Sequence, residues 1–182
     1  QESFPLTYIY RKIDTQNSLK EKFALLKNLE SINQSRELSL YHFLAINNEI
    51  AGYYMNETSF DFEKSKYYFL KNLNRVQTEN EHYYLSQIYN SIGVLYLKKK
   101  KDSALYFLKK GLKHNQSKVF LPTNYYQTAK YYLLKENYNQ ANIFLDKSLK
   151  ASLNFPIDKP LNLDGINILK QTINKDATLN AL

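Results

Sequence analysis

Ile88-Tyr-Asn-Ser-Ile-Gly-Val-Leu-Tyr-Leu97, a lysine-rich turn from Lys98 to Lys101, and Asp102-Ser-Ala-Leu-Tyr-Phe-Leu-Lys-Lys-Gly-Leu112 form the stretch on which the fold depends. In its first half Tyr89, Ile92, Gly93 and Tyr96 fall at intervals of three, one and three. A helix built from it carries large residues on either side of a gap on one face. In the second half Ala104, Leu108 and Gly111 share a face, where the small residues permit close helix contact and the leucine fills the gap. The stretch reads as a helix-turn-helix unit whose two helices fit each other.

The unit recurs on both sides. Upstream, Ile46-Asn-Asn-Glu-Ile-Ala-Gly-Tyr-Tyr-Met55 aligns residue for residue with Ile88 to Leu97, so that Ala51 matches Gly93 and Tyr54 matches Tyr96. Downstream, Pro122 to Phe155 carries Tyr125, Thr128, Ala129, Tyr132, Tyr138, Ala141, Leu145 and Ser148 at the offsets of a repeat of about 34 residues. On these residues the chain resembles the tetratricopeptide-repeat (TPR) family over roughly residues 35 to 155. It departs from that pattern in having no Trp at the first signature position, Ser65 where Ala is usual and Gln116 where Pro usually ends the unit. The resemblance implies an all-α fold, a right-handed α-α superhelix (TPR solenoid) of about three repeats with partial helices at its ends. Residues 1–182 are then one TPR domain: a leading helix over 17–34, repeats over 35–77, 78–117 and 122–155, and a capping or truncated helix over 160–175. Turns are expected near 57–60, 99–101 and 135–137.

Local signals place the helix ends. Ser18 with Glu21 and Thr78 with Glu81 have capping-box spacing, Asp102 and Asn137 stand where N-caps are needed, and Pro122 suits a first helical turn. Residues 1–14 are enough for a short helix or a docked arm. Pro156 and Pro160 mark a loop.

Composition narrows the function. The chain has 182 residues, one domain by size, with only 4 Gly and 4 Pro, which argues against glycine-rich phosphate loops and many-hairpin β folds. No Cys is present, which excludes disulfides, thiolate metal sites and cysteine nucleophiles. No apolar run approaches the roughly 20 residues that cross a bilayer. The net charge of +8 is spread along the chain apart from Lys98 to Lys101, and reads as a solvated basic surface. The chain opens Gln-Glu-Ser without an initiator Met, which predicts either a removed secretory leader and an extracytoplasmic location, or a trimmed piece of a longer, cytoplasmic protein. No stop signal marks its other end, so continuation past Leu182 is expected.

His42, His82 and His114 are far apart and lack partners at metal-ligand spacing, and no nucleophile, zincin or Walker motif occurs. No catalytic residue, cofactor or metal is expected, and the chain does not read as an enzyme. The Tyr-Tyr pairs 53/54, 67/68, 83/84, 125/126 and 131/132 could stack bases, but adjacent helical residues point about 100° apart, so one of each pair serves the core and the other an interface or the surface. No nucleic acid partner is expected.

The resemblance also implies a ligand groove. In TPR proteins the groove-facing positions of each first helix lie three residues before, one after and four after the small signature residue. They correspond to Asn48, Gly52 and Met55; to Asn90, Val94 and Leu97; and to Tyr126, Lys130 and Leu133, with Gln87 and Thr123 one turn earlier. Only Lys130 is cationic, unlike the Lys/Asn/Arg clamp of chaperone-tail adaptors. Asn48 and Asn90 are expected to share one concave face and to pair with a peptide backbone. The implied partner is a protein or peptide, and the implied role is the sensory or interaction module of a larger bacterial signalling protein. The alternatives are a free-standing adaptor or assembly factor, and a structural subunit that oligomerises through its end repeats.

Overall fold

The computed structural model describes residues 19–35, 38–79, 81–115, 118–154 and 163–179, which form helices joined by short turns, with no β-strand among them. The α-helices are α1 (Leu19–Ser35), α2 (Leu40–Met55), α3 (Phe62–Thr78), α4 (Leu85–Lys98), α5 (Ser103–Lys113), α6 (Leu121–Leu134), α7 (Tyr138–Asn154) and α8 (Leu163–Leu179), with 3-10 turns at Glu57–Ser59 and His82–Tyr84. The all-α expectation holds, and the helices break at the three expected turns. The arm expected within residues 1–14, the Ser18 cap and the proline loop lie outside the described residues. The chain divides into two compact units, Gln1–Asn80 and Glu81–Leu182.

In the first unit α1 rests on α2, and α2 pairs with α3. Leu29, Ile46, Ile50, Ala51 and Val76 are fully buried, so the helical stripes of all three elements meet in one core. Ser65, the departure from the usual alanine, is also fully buried and donates from Oγ to the Ala51 carbonyl across the helix pair at 3.1 Å. A second lone pair on that carbonyl accepts the hydroxyl without breaking the helix ladder, which is why serine fits a close-contact position. Asp61 caps α3, its Oδ1 accepting from the Lys64 amide at 3.0 Å. Glu30 of α1 is buried but doubly partnered, accepting from the Tyr68 hydroxyl of α3 and from Lys27. Burial alone would raise its pKa; the bonds from Lys27 and Tyr68, with the charges of Lys27 and Lys71, outweigh that and hold the carboxyl below its usual value.

The capping box at Thr78 and Glu81 does not form. Thr78 is the last residue of α3, and its hydroxyl donates back to the Asn74 carbonyl at 2.9 Å. Phe62, Phe69 and Val76 continue one buried stripe through that turn, and burial of Val76 holds it helical where the sequence had placed a boundary. The next α-helix begins only at Leu85, after the 3-10 turn.

In the second unit α4 pairs with α5 and α6 with α7, α6 also packs on α4 and α5, and α8 closes against α7. Both hairpins turn in the same way. The Lys101 amide donates to the Tyr96 carbonyl and Lys100 to Leu97; likewise Asn137 donates to Tyr132 and Glu136 to Leu133. This is the Schellman arrangement, with the left-handed residue being Lys100 (φ 51°) in one turn and Glu136 (φ 56°) in the other. Tight turns are thus made without glycine. Asn137 caps α7, its Oδ1 accepting from the Gln140 amide at 3.1 Å. Asp102 occupies the N-cap position of α5 but makes no side-chain cap bond; its carboxylate pairs instead with Lys135 of the next hairpin at 2.5 Å.

Close packing centres on Gly93. A Cβ built there would lie 2.7 Å from Leu108 Cδ2, 2.8 Å from its Cγ and 3.2 Å from its backbone nitrogen. Leu108 therefore fills the gap that Gly93 leaves. Ser86 Oγ donates to the Gly111 carbonyl at 2.9 Å and accepts from Asn124 Nδ2 at 3.0 Å, tying the two hairpins together through buried polar atoms. Ser148 repeats the device of Ser65, donating to the Pro122 carbonyl at 2.8 Å. A second core gathers Ala129, Ala141 and Leu145 with Ile166 and Ile173 of α8.

Candidate functional site

The candidate groove residues lie on α2 in the first unit and on α4 and α6 in the second. On α2, Asn48 is half-buried and its amide is already engaged: Oδ1 accepts from Asn72 Nδ2 at 3.0 Å. Asn72 is fully buried and also donates to the Leu44 carbonyl at 3.1 Å, while its Oδ1 accepts from Asn47 Nδ2 at 2.9 Å. The Leu44 carbonyl can only accept, which fixes the orientation of the Asn72 amide and hence of the whole cluster. Gly52 is exposed, with nothing within 4 Å of a built Cβ, and Met55 is half-buried. The face of α2 thus offers an open backbone at Gly52 beside an asparagine bound into the fold.

On α4, Gln87 and Val94 are half-buried, whereas Asn90 is only 9% exposed and Leu97 only 7%. Leu97 packs with Ala104 and Leu108, flanked by Tyr96 and Tyr131, and belongs to the hairpin core. The Asn90 amide oxygen is buried without a hydrogen-bond partner among the described residues. On α6, Thr123, Tyr126 and Leu133 are half-buried and Lys130 is exposed, its ammonium 5.8 Å from the centre of the Tyr126 ring. Tyr126 and Leu133 also pack against the core that α8 completes, and burial raises the Tyr126 phenol pKa. Asn48 and Asn90, equivalent in the repeat alignment, therefore have unlike surroundings. One accepts from a buried amide; the other is sequestered with its oxygen unpaired.

Two features escaped the sequence reading. The asparagine cluster depends on Asn72, more than twenty residues from its partners and without a motif. A cleft of about 400 Å³ opens between the start of α6 and the end of α7, lined by side chains that only the hairpin brings together. Against known proteins, the chain matches no family model, no curated protein and no solved structure. No group of three or more His, Cys, Asp or Glu side chains suited to a metal occurs among the described residues, and none of the described helices is long and apolar enough to cross a membrane.

Proposed function

We propose that this chain is a TPR-type helical-repeat module whose second unit binds a protein or peptide along the faces of its first helices α4 and α6, as the interaction region of a bacterial signalling protein. The observation that carries the reading is the recurrence of one hairpin design. Helices α2/α3, α4/α5 and α6/α7 pair in chain order, and each first helix buries a small residue at the same register position: Ala51, Gly93 and Ala129. In such folds the second helices and the small-residue contacts are spent on stability, leaving the first-helix faces for recognition. In the second unit the half-buried Gln87, Val94, Thr123, Tyr126 and Leu133 and the exposed Lys130 remain open there, a mixed apolar and uncharged polar surface with one cation, suited to an extended segment with an apolar side chain and a carboxylate.

The test is selection of peptides from a displayed library on the 182-residue chain, followed by NMR mapping with labelled protein. Selected peptides should shift amides along α4 and α6, and Lys130→Glu should weaken the binding of those carrying carboxylates by at least about tenfold. Failure to select any peptide, or shifts confined to α5 and α7, would refute the reading.

A further inference from the structure

We infer that the cleft between the start of α6 and the end of α7 is a docking site for an acidic peptide segment carrying one apolar anchor side chain. The cleft is open to solvent, has a volume of about 400 Å³ and is lined by Lys118, Leu121, Tyr125, Lys147, Lys150, Ala151 and Asn154. Its volume falls within the roughly 300–1,000 Å³ of ligand pockets. Leu121 and Tyr125 are half-buried and Ala151 is buried, so they make an apolar floor, while the three lysines are exposed at the rim. No Asp or Glu is among the described residues lining it. The nearest acidic residue along α7, Asp146, is already paired with Lys170 of α8. None of the three rim lysines is in an ion pair with a described residue.

The geometry of the cations decides the occupant. Lys147 and Lys150 stand three residues apart on α7 and therefore share a face about one turn long. Lys118 precedes α6 and approaches from the other wall, held by a left-handed backbone (φ 62°) in the turn where its amide donates to the Asn115 carbonyl. Positive charge thus surrounds an apolar floor from two chain segments. An extended peptide with carboxylates on both sides of a Phe, Leu or Tyr meets this pattern: the anchor enters the floor and the flanking acids meet the rim. The anchor gains by leaving water, and the converging like charges concentrate an acidic partner at the mouth. None of the groove positions Asn90, Val94, Tyr126 or Lys130 lines the cleft, so the site is separate from the proposed groove on α4 and α6.

The experiment uses the 182-residue chain, a fluorescein-labelled, end-blocked peptide Glu-Asp-Glu-Phe-Glu-Asp-Glu, and the same peptide with lysine for every acid or glycine for the phenylalanine. Anisotropy titrations should show binding of the parent peptide that weakens with added salt, at least about tenfold weaker binding of either control, and a similar loss on Lys147→Glu with Lys150→Glu. Because charge reversal near a helix C-terminus could disturb folding, Lys118→Gln and Lys147→Gln are made as well; each should weaken binding by several-fold with an unchanged amide spectrum. Amide shifts should cluster at residues 118–125 and 147–154. Equal binding of the lysine peptide, binding indifferent to these substitutions, shifts confined to Val94, Tyr126 and Lys130, or binding of phosphatidylglycerol vesicles in place of the peptide would each overturn the inference.

Discussion

Gly52 and Gly93 stand one position apart in the repeat register, yet the same change at each should move stability in opposite directions. Replacing a mid-helix glycine by alanine reduces the freedom of the unfolded chain and favours the helix by about 0.5–1 kcal/mol. At Gly52 nothing lies within 4 Å of the added methyl, so that gain should appear in full. At Gly93 the methyl would sit 2.7 Å from Leu108 Cδ2 and 3.2 Å from the Leu108 backbone nitrogen. A turn of the leucine side chain cannot relieve both, because the second contact is with the α5 backbone and Leu108 is itself fully buried. Overpacking of this kind costs about 1–3 kcal/mol, leaving Gly93→Ala between neutral and roughly 2.5 kcal/mol destabilised net. Urea unfolding followed by circular dichroism gives the two midpoints, and hydrogen exchange assigns each change to its own unit. If Gly93→Ala raises the midpoint as Gly52→Ala does, helices α4 and α5 are not in this contact and the repeat register is wrong.

Tyr68→Phe should destabilise the first unit by about 1–3 kcal/mol at neutral pH by leaving the buried Glu30 carboxylate one donor short. Because the folded pKa of Glu30 is depressed, its stabilisation is present above the ordinary carboxylate pKa and is lost as pH falls through the folded value; urea midpoints between pH 7 and pH 3 should therefore fall more in the parent than in Tyr68→Phe. Lys100→Gly and Glu136→Gly relieve left-handed residues and should each raise stability by a few tenths to about 1 kcal/mol, whereas the same change at exposed Lys109, inside α5, should lower it. Asn72→Asp should be worse than Asn72→Ala in thermal melts, since a carboxylate would face the Leu44 carbonyl and Asn48 Oδ1 with no proton to give. Asn48→Ala takes an acceptor from the buried Asn72 amide and should therefore lower the melting temperature, in contrast to the stability-neutral change that a free groove asparagine would give.

Much of the fold was legible in the chain because it is written in short-range spacing. Helix type, the three hairpin turns and the Gly93–Leu108 fit all follow from residues three or four apart on one face, and the capping role of Asn137 from its place three residues before Gln140. What the spacing could not determine was the fate of polar side chains whose partners lie far along the sequence. Thr78 has the sequence of a cap, but burial of Val76 keeps it inside α3. Asn48 and Asn90 align perfectly, yet only packing shows that one is bound by Asn72 and the other is sealed from solvent. Lys118 and Lys150 become neighbours around one cleft only after α6 and α7 close on each other. The sequence determined by itself which face of each helix is apolar, since that is a property of a single helix. Which polar groups remain available to a partner depends on what each face packs against, and that was decided only when the helices came together.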